Sequence, residues 1–318
     1  MADVLISIRN VKKYFNTKNG LLHAVDDINL DIEKGTTVGL VGESGCGKST
    51  LGRVALRLIE ATEGQILFDG TDIRSLDKNG LRHMRRKIQI VFQDPYASLD
   101  GRKNVYESIA EPLIVQKIYQ DKKELEKRVK ELMETVGIAE RLANAYPHEL
   151  DGGRRQRVGV ARALALNPEF LVLDEPVSAL DVSIQAQILN LLATLQKELK
   201  LTYLFISHDL SVVKHISDKI AVMYLGKIVE LAEYRELFSN PLHPYTQALL
   251  SAVPIPKLNT GRERILLEGD VPSPINPKPG CRFAGRCRYC TEECNRKTPE
   301  LKEVRTGHFV ACEHIIKQ

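Results

Sequence analysis

No stretch of this sequence approaches the roughly 20 consecutive apolar residues that a membrane-spanning helix needs, and its first residues lack a secretory leader pattern. The expectation is therefore a cytoplasmic chain that spans no membrane. An excess of one charge is missing as well: 45 Lys and Arg stand against 41 Asp and Glu, a formal net charge of +4 over 318 residues. The cations alternate with anions, as in DKKELEKRVKELMETV (Asp121 to Val136). That pattern describes a solvated amphipathic helix rather than a nucleic-acid tract, so no nucleic-acid partner is expected. No internal repeat is visible. Cysteine is nearly absent before residue 281, where Cys46 stands alone, whereas Cys281, Cys287, Cys290, Cys294 and Cys312 crowd the last part of the chain. In a cytoplasmic protein such a cluster reads as a metal site rather than a disulfide framework.

What is present is ordinary for a globular protein: 43% hydrophobic and 27% charged residues. The length suggests a main domain of roughly 200 to 250 residues plus something smaller. From Leu5 to Leu250 the pattern is α/β. The short apolar runs TVGLVG (Thr37 to Gly42), KIQIVF (Lys87 to Phe92), FLVLD (Phe170 to Asp174) and LTYLFIS (Leu201 to Ser207) alternate with helical segments, which predicts a mostly parallel sheet. A mainly helical insert, roughly Pro95 to Ala165, separates the second run from the third. After Leu250 the chain turns rich in Pro and Gly, an ordered but irregular connector, and the cysteine cluster follows. The predicted division is 1–250 for the main domain, with a helical subdomain at about 95–165, and 251–318 for the extension.

The segment GESGCGKST, Gly42 to Thr50, fits the G-x-x-x-x-G-K-[ST] phosphate loop between an apolar strand and the helical STLGRVALRL. Glycines Gly42, Gly45 and Gly47 let backbone N–H groups from Gly45 to Ser49, a run that contains Cys46 and is flanked by Ser44 and Thr50, face phosphates. Lys48 would meet the β and γ oxygens, and the Ser49 hydroxyl could ligate Mg²⁺. Cys46 inside this loop reads as a small packing residue. FLVLDEP ends an apolar strand with two carboxylates of different role: Asp174 to support Mg²⁺, and Glu175 to polarise an attacking water.

With these motifs in this order, the chain resembles the ATP-binding subunits of ABC transporters. The resemblance implies a P-loop ABC ATPase domain with a mostly parallel core sheet, an antiparallel β subdomain and a helical subdomain, bearing here a small Cys-rich extension. It implies that Gln93 in VFQDP touches Mg²⁺ and senses the membrane partner. It further implies that Asp181, in SALD (Ser178 to Asp181), lies at a dimer interface, and that His208 in FISHD contacts the γ-phosphate. In NVKKYF the family's adenine-stacking aromatic falls on Phe15 by spacing, with Tyr14 as the alternate.

HELDGGRRQRV (His148 to Val158) occupies the place of the family signature L-S-G-G-Q. Asp151 stands for the serine, Arg154 for the glutamine, and Gly152 and Gly153 are retained. Family members dimerise head to tail, so this segment would contact ATP held by the partner's phosphate loop. Asp and Ser are comparable N-caps, so the helix from 154 to 165 forms with either. A carboxylate about 4 Å from a γ-phosphate costs roughly 4 kcal/mol per unit charge pair at an effective dielectric near 20, part of which Arg154 and Arg155 could offset. Two readings stand: a heterodimer with an unlike ATPase and unequal ATP sites, or an Asp151 that turns away and leaves both sites competent.

HPYTQALLSAVP (His243 to Pro254), the Pro-rich segment and GCRFAGRC resemble the C-terminal extension of oligopeptide and dipeptide permease ATPases, and VGESGCGKST, FQDPYASL and PVSALDVSIQAQIL fit the second, F-type, of that family's paired subunits. The likeness covers essentially the whole chain and implies an importer. Its partners would be a second ABC ATPase subunit, two integral membrane permease subunits and an external solute-binding protein, with this chain peripheral on the cytoplasmic face and attached through the Gln93 region and the helical insert. Cargo stays open among peptides, nickel and oligosaccharides. Cys281, Cys287, Cys294 and Cys312 give C-x5-C-x6-C-x17-C, similar to the family's iron-sulfur pattern. Four thiolates suit a [4Fe-4S] cluster or zinc, and Cys290 leaves the ligand set open. The competing readings are an ABC-type ATPase outside transport and a metal- or redox-sensing ATPase.

Overall fold

Residues buried on both faces form the central strands of the computed structural model, which describes residues 3–253 and 264–316. In chain order the strands are β1 (Val4–Thr17), β2 (Gly20–Glu33), β3 (Thr37–Val41), β4 (Glu63–Phe68), β5 (Thr71–Asp72) and β6 (Ile88–Val91). They continue with β7 (Phe170–Asp174), β8 (Thr202–Ser207), β9 (Lys219–Tyr224), β10 (Lys227–Glu233), β11 (Lys302–Arg305) and β12 (His308–Val310). Every residue of β3, β7 and β8 is buried, which is why each reads as an unbroken apolar run rather than an alternating one.

The chain divides into two compact units. The first holds Ser75–Ile206 with Ile32–Thr36 and the described residues up to Leu5. Its strands β6, β7 and β8 pair in parallel, with Ile88 opposite Phe170 and Asp174 opposite Ile206. Its helices carry their own start signals. Asn104 and Glu107 form a reciprocal capping box on Val105–Val115, and Asp121 caps Lys122–Thr135. Val129, Leu132 and Met133 make the buried stripe of the latter helix. In Val182–Leu199 the stripe is Ile188, Leu192 and Leu195, and Lys200 ends the helix at φ 52°.

The second unit holds Ile6–Asp31, Thr37–Arg74 and the described residues from Ser207 onward. It contains the antiparallel sheet ordered β2-β1-β4-β5. Here β3 pairs in parallel with β9, and beyond β9 the pairing turns antiparallel through β10, β12 and β11. The Cys-rich segment is thus sewn onto a sheet edge: Glu230 lies opposite Val310 and Leu231 opposite Phe309. The anchor is a buried polar knot. Glu230 accepts from His308 Nε2 at 2.8 Å, from the Leu242 amide at 2.7 Å and from the His243 amide at 2.9 Å. Part of the Pro-rich connector, 254–263, lies outside the described residues. Where it is described, it is irregular and tied to β2, by a bridge between Leu22 and Ile275 and by the Pro274 carbonyl, which accepts from the His23 amide at 3.0 Å.

Candidate functional site

In the second unit, Gly42–Ser49 runs from the end of β3 into the helix Lys48–Ala55. Gly47, at φ 106°, is the N-cap, and no side chain caps that helix, so its first N–H groups face outward from a positively polarised helix end. Only glycine fits at Gly47: a Cβ there would lie 2.0 Å from the Ala24 carbonyl oxygen. Lys48 is buried, and its Nζ donates to the carbonyls of Gly42 at 2.8 Å and Glu43 at 3.0 Å, closing the loop on itself. Ser44 and Gly45 are exposed at the tip, Thr50 is half-buried in the helix, and Cys46 is buried, in keeping with a packing residue. His208, exposed directly after β8, is not a core histidine.

Tyr14 and Phe15 leave β1 on opposite faces. The Tyr14 hydroxyl donates to the Asp26 carboxylate, its ring stacks on His23 with centroids 4.0 Å apart, and burial with the Asp26 charge pushes its pKa far up. Phe15 is half-buried with Lys13 Nζ 4.8 Å above its ring. Both rings thus have partners within their own unit, Tyr14 in Asp26 and His23 and Phe15 in Lys13.

In the first unit, Asp174 is buried at the end of β7 and Glu175 turns away at φ 47°, a left-handed conformation that a non-glycine residue adopts at a cost. The turn is pinned: the Glu175 amide donates to the Ile206 carbonyl at 3.0 Å, and its carbonyl accepts from Ser178 Oγ at 3.1 Å. Gln93 Nε2 donates to Glu175 Oε2 at 2.9 Å, so these two residues meet directly. Asp181 is exposed at the N-cap of Val182–Leu199, beside a Val182 that is 81% exposed.

The signature segment opens the helix Gly152–Leu164. Asp151 is its N-cap and accepts from the Arg154 amide at 2.7 Å, while Arg154 Nε lies 3.4 Å from its carboxylate. Arg155 does not share this task, since it donates to the Pro147 carbonyl at 2.7 Å and lies over the Tyr96 ring. The glycines have a packing role that spacing did not reveal. A Cβ on Gly153 would meet Ile184 Cγ2 at 2.7 Å, and one on Gly152 would meet Leu180 at 3.0 Å.

In the Cys-rich segment, Cys281, Cys287, Cys294 and Cys312 line one cavity with Phe283, His243 and His314, while Cys290 is exposed and lies outside it. Among the described residues no three His, Cys, Asp or Glu are gathered closely enough to hold a single metal ion. Burial pushes the Cys281 thiol up to about 11 and raises Cys287 and Cys312.

Two arginines beside those cysteines escaped sequence reading. Arg286 Nη1 lies 2.9 Å from a Glu43 carboxylate oxygen in the phosphate loop, and Arg282 donates to Asp26 and to the Leu225 carbonyl. Their adjacency to Cys287 and Cys281 was the one available signal.

Comparison with known proteins agrees with these motifs. Residues 25–178 match the ABC transporter family, and residues 229–294 match the C-terminal region of oligopeptide/dipeptide transporters. The chain is 53% identical to the oligopeptide transport ATP-binding protein AppF of Bacillus subtilis, over 98% of this chain and 97% of that protein. It is 52% identical to OppF of the same organism, again over 98% and 97%. A dimeric ATP-binding cassette in a post-hydrolysis state with ADP and Pi is 32% identical, with a TM-score of 0.66, over 73% of this chain and 99% of that one.

Proposed function

Since the chain belongs to the ABC transporter ATP-binding subunits of the oligopeptide/dipeptide permease type, we propose that it binds and hydrolyses ATP to drive import of oligopeptides or dipeptides. The observation that carries this is the phosphate loop: an uncapped helix N-terminus, Gly47 at φ 106° and Lys48 folded onto loop carbonyls. Lys48 binds the β and γ oxygens of ATP, Phe15 stacks on adenine, and His208 contacts the γ-phosphate. Glu175 accepts a proton from the attacking water, and its bond with Gln93 holds the carboxylate where a change felt at Gln93 alters it. The hydroxyl of Ser49, the carboxylate of Asp174 and the amide oxygen of Gln93 are hard oxygen donors suited to Mg²⁺, which when bound offsets phosphate charge.

The partners in this reading are a second ATPase subunit, two membrane permease subunits and an external binding protein. Among the described residues no helix is long and apolar enough to cross a membrane. Attachment at the cytoplasmic face is supported by apolar side chains around the end of Val105–Val115, where Ile114 and Val115 are 57% and 60% exposed, and by Tyr96 at 59%.

The four cavity-lining thiols are the right number of donors for a [4Fe-4S] cluster or for zinc. A [4Fe-4S] cluster there, with Cys290 outside the ligand set, is the reading offered. Metal and acid-labile sulfide analysis after anaerobic purification decides it, and zinc without sulfide defeats it.

Unequal ATP sites, paired with an unlike ATPase, follow from Asp151. ATP hydrolysis by the purified chain alone is compared with Asp151→Ser/Arg154→Gln, because a lone chain uses its own signature at both sites. A nearly silent native chain and an active variant support unequal sites, whereas equal rates reduce Asp151 to a cap. Loss of hydrolysis in Lys48→Ala and Glu175→Gln is expected throughout.

A further inference from the structure

The phosphate loop is held from outside by the segment that carries the cysteines. Arg286, whose side chain is only 9% exposed, places Nη1 at 3.2 and 2.9 Å from the two Glu43 carboxylate oxygens. The same residue's backbone is fixed too, since the Glu43 amide donates to the Tyr245 hydroxyl at 2.9 Å. Tyr245 is fully buried and packs on Phe283, which stands between the two arginines in sequence, and on Tyr224. Glu43 is thus gripped through side chain and main chain by groups that all belong to the C-terminal part of the chain.

Arg282 reaches the other end of the loop by a short relay. Its guanidinium donates to the Leu225 carbonyl and the Asp26 carboxylate. Leu225 and Gly226, at φ 42° and 82°, form the tight turn between β9 and β10. The Gly226 amide donates to the Cys46 carbonyl at 2.8 Å, and the Gly226 carbonyl accepts from the Asp26 amide at 2.8 Å. Asp26 in turn holds the Tyr14 hydroxyl, next to Phe15. Glu43 and Cys46 of the loop are therefore both linked to arginines that neighbour Cys287 and Cys281 in sequence.

We propose that Arg286 and Arg282 are positioning residues for nucleotide binding, so that the order of the cysteine-bearing segment sets the ATP affinity of the same chain. This rests on the reading of Gly42–Ser49 as an ATP phosphate loop. Arg286 touches no nucleotide; it keeps Glu43, and with it the carbonyl that receives Lys48 Nζ, in one conformation. Without Arg286, Glu43 keeps its bonds to Tyr245 and Lys48 but loses its side-chain anchor, so part of the ordering falls to ATP, which lowers affinity without removing any direct contact.

The test measures binding of a fluorescent ATP analogue to the full-length chain, with hydrogen exchange at residues 42–49 as a second readout. Arg286→Ala should weaken binding about five- to tenfold and speed exchange across the loop. Arg286→Lys, which keeps the charge, should recover much of the loss. Glu43→Gln should weaken binding similarly, and adding it to Arg286→Ala should cost little more, because both remove one pair. Arg296→Ala, which breaks only a surface pair with Glu292, should change nothing. Native affinity and native exchange in Arg286→Ala overturn the proposal; should that variant not fold, native affinity in Glu43→Gln does so instead. The phosphate-loop reading fails separately, if Lys48→Ala binds as tightly as the native chain.

Discussion

His243 should make the stability of this protein fall in mild acid, by an amount that one substitution can isolate. It is fully buried at the N-cap of the helix Pro244–Ser251, where its Nδ1 accepts from the Tyr245 amide at 3.1 Å. Burial pushes its pKa down to about 4, against the opposing pull of Glu230. In the unfolded chain it titrates near 6.5. Between those values the unfolded state carries a proton that the folded state refuses, so this contribution to stability is complete above pH 6.5 and is lost as pH falls toward 4. The loss works out at about 2 kcal/mol by pH 5 and about 3 kcal/mol by pH 4. His243→Asn keeps an acceptor at the cap and removes the titration, at a cost of about 1 to 2 kcal/mol at pH 7 for packing lost against Phe283. Urea unfolding of both proteins at pH 7, 6 and 5 should show the gap between them closing and the order reversing near pH 5. A gap that stays constant from pH 7 to 5 would refute the assignment of a neutral, buried His243.

Glu230→Gln should cost about 3 to 5 kcal/mol, because it turns an amide donor toward N–H groups inside a buried knot; a lowered urea midpoint and faster hydrogen exchange at 302–310 report it. Gly47→Ala places a Cβ 2.0 Å from a carbonyl oxygen at a left-handed φ, so ATP binding should fall more than about tenfold in an equilibrium titration while the circular dichroism of the whole chain is retained. Iron and sulfide content should survive Cys290→Ser and be lost in Cys281→Ser, and equal content in the two variants would contradict the ligand set read from the cavity.

The strands that the sequence made legible without any knowledge of partners are β3, β7 and β8, buried along their whole length, and β6, which is buried at its ends and half-buried between. The last two strands, KEVR and HFV, carry no such run. They exist because β12 docks on β10, and that docking depends on Glu230 and His308, which are 78 positions apart. Distance in sequence also hid the arginine clamps: Arg286 and Glu43 are separated by 243 positions, and Arg282 and Asp26 by 256. The adjacent pair Tyr14 and Phe15 was half legible, because alternation separates their faces but does not identify the partner of each ring. The glycines of the signature were legible as a helix entrance, whereas their crowding against Leu180 and Ile184 needed the neighbouring helix.

For Asp151 the fold and the proposed chemistry can be tested apart. As a cap it does what serine would do, through its 2.7 Å bond from the Arg154 amide. Its charge, however, is not bare, because the Arg154 side chain, itself half exposed, lies 3.4 Å away. A pair this exposed contributes at most about 1 kcal/mol to stability, so the helix should tolerate Arg154→Gln, and Asp151→Ser as well because serine keeps a cap oxygen. The two removals should nevertheless act oppositely on a facing γ-phosphate. Asp151→Ser leaves an unopposed guanidinium and should raise the ATP hydrolysis of the lone chain, whereas Arg154→Gln leaves an unopposed carboxylate and should lower it further. A cap that merely faced solvent would let both single variants hydrolyse ATP at the native rate.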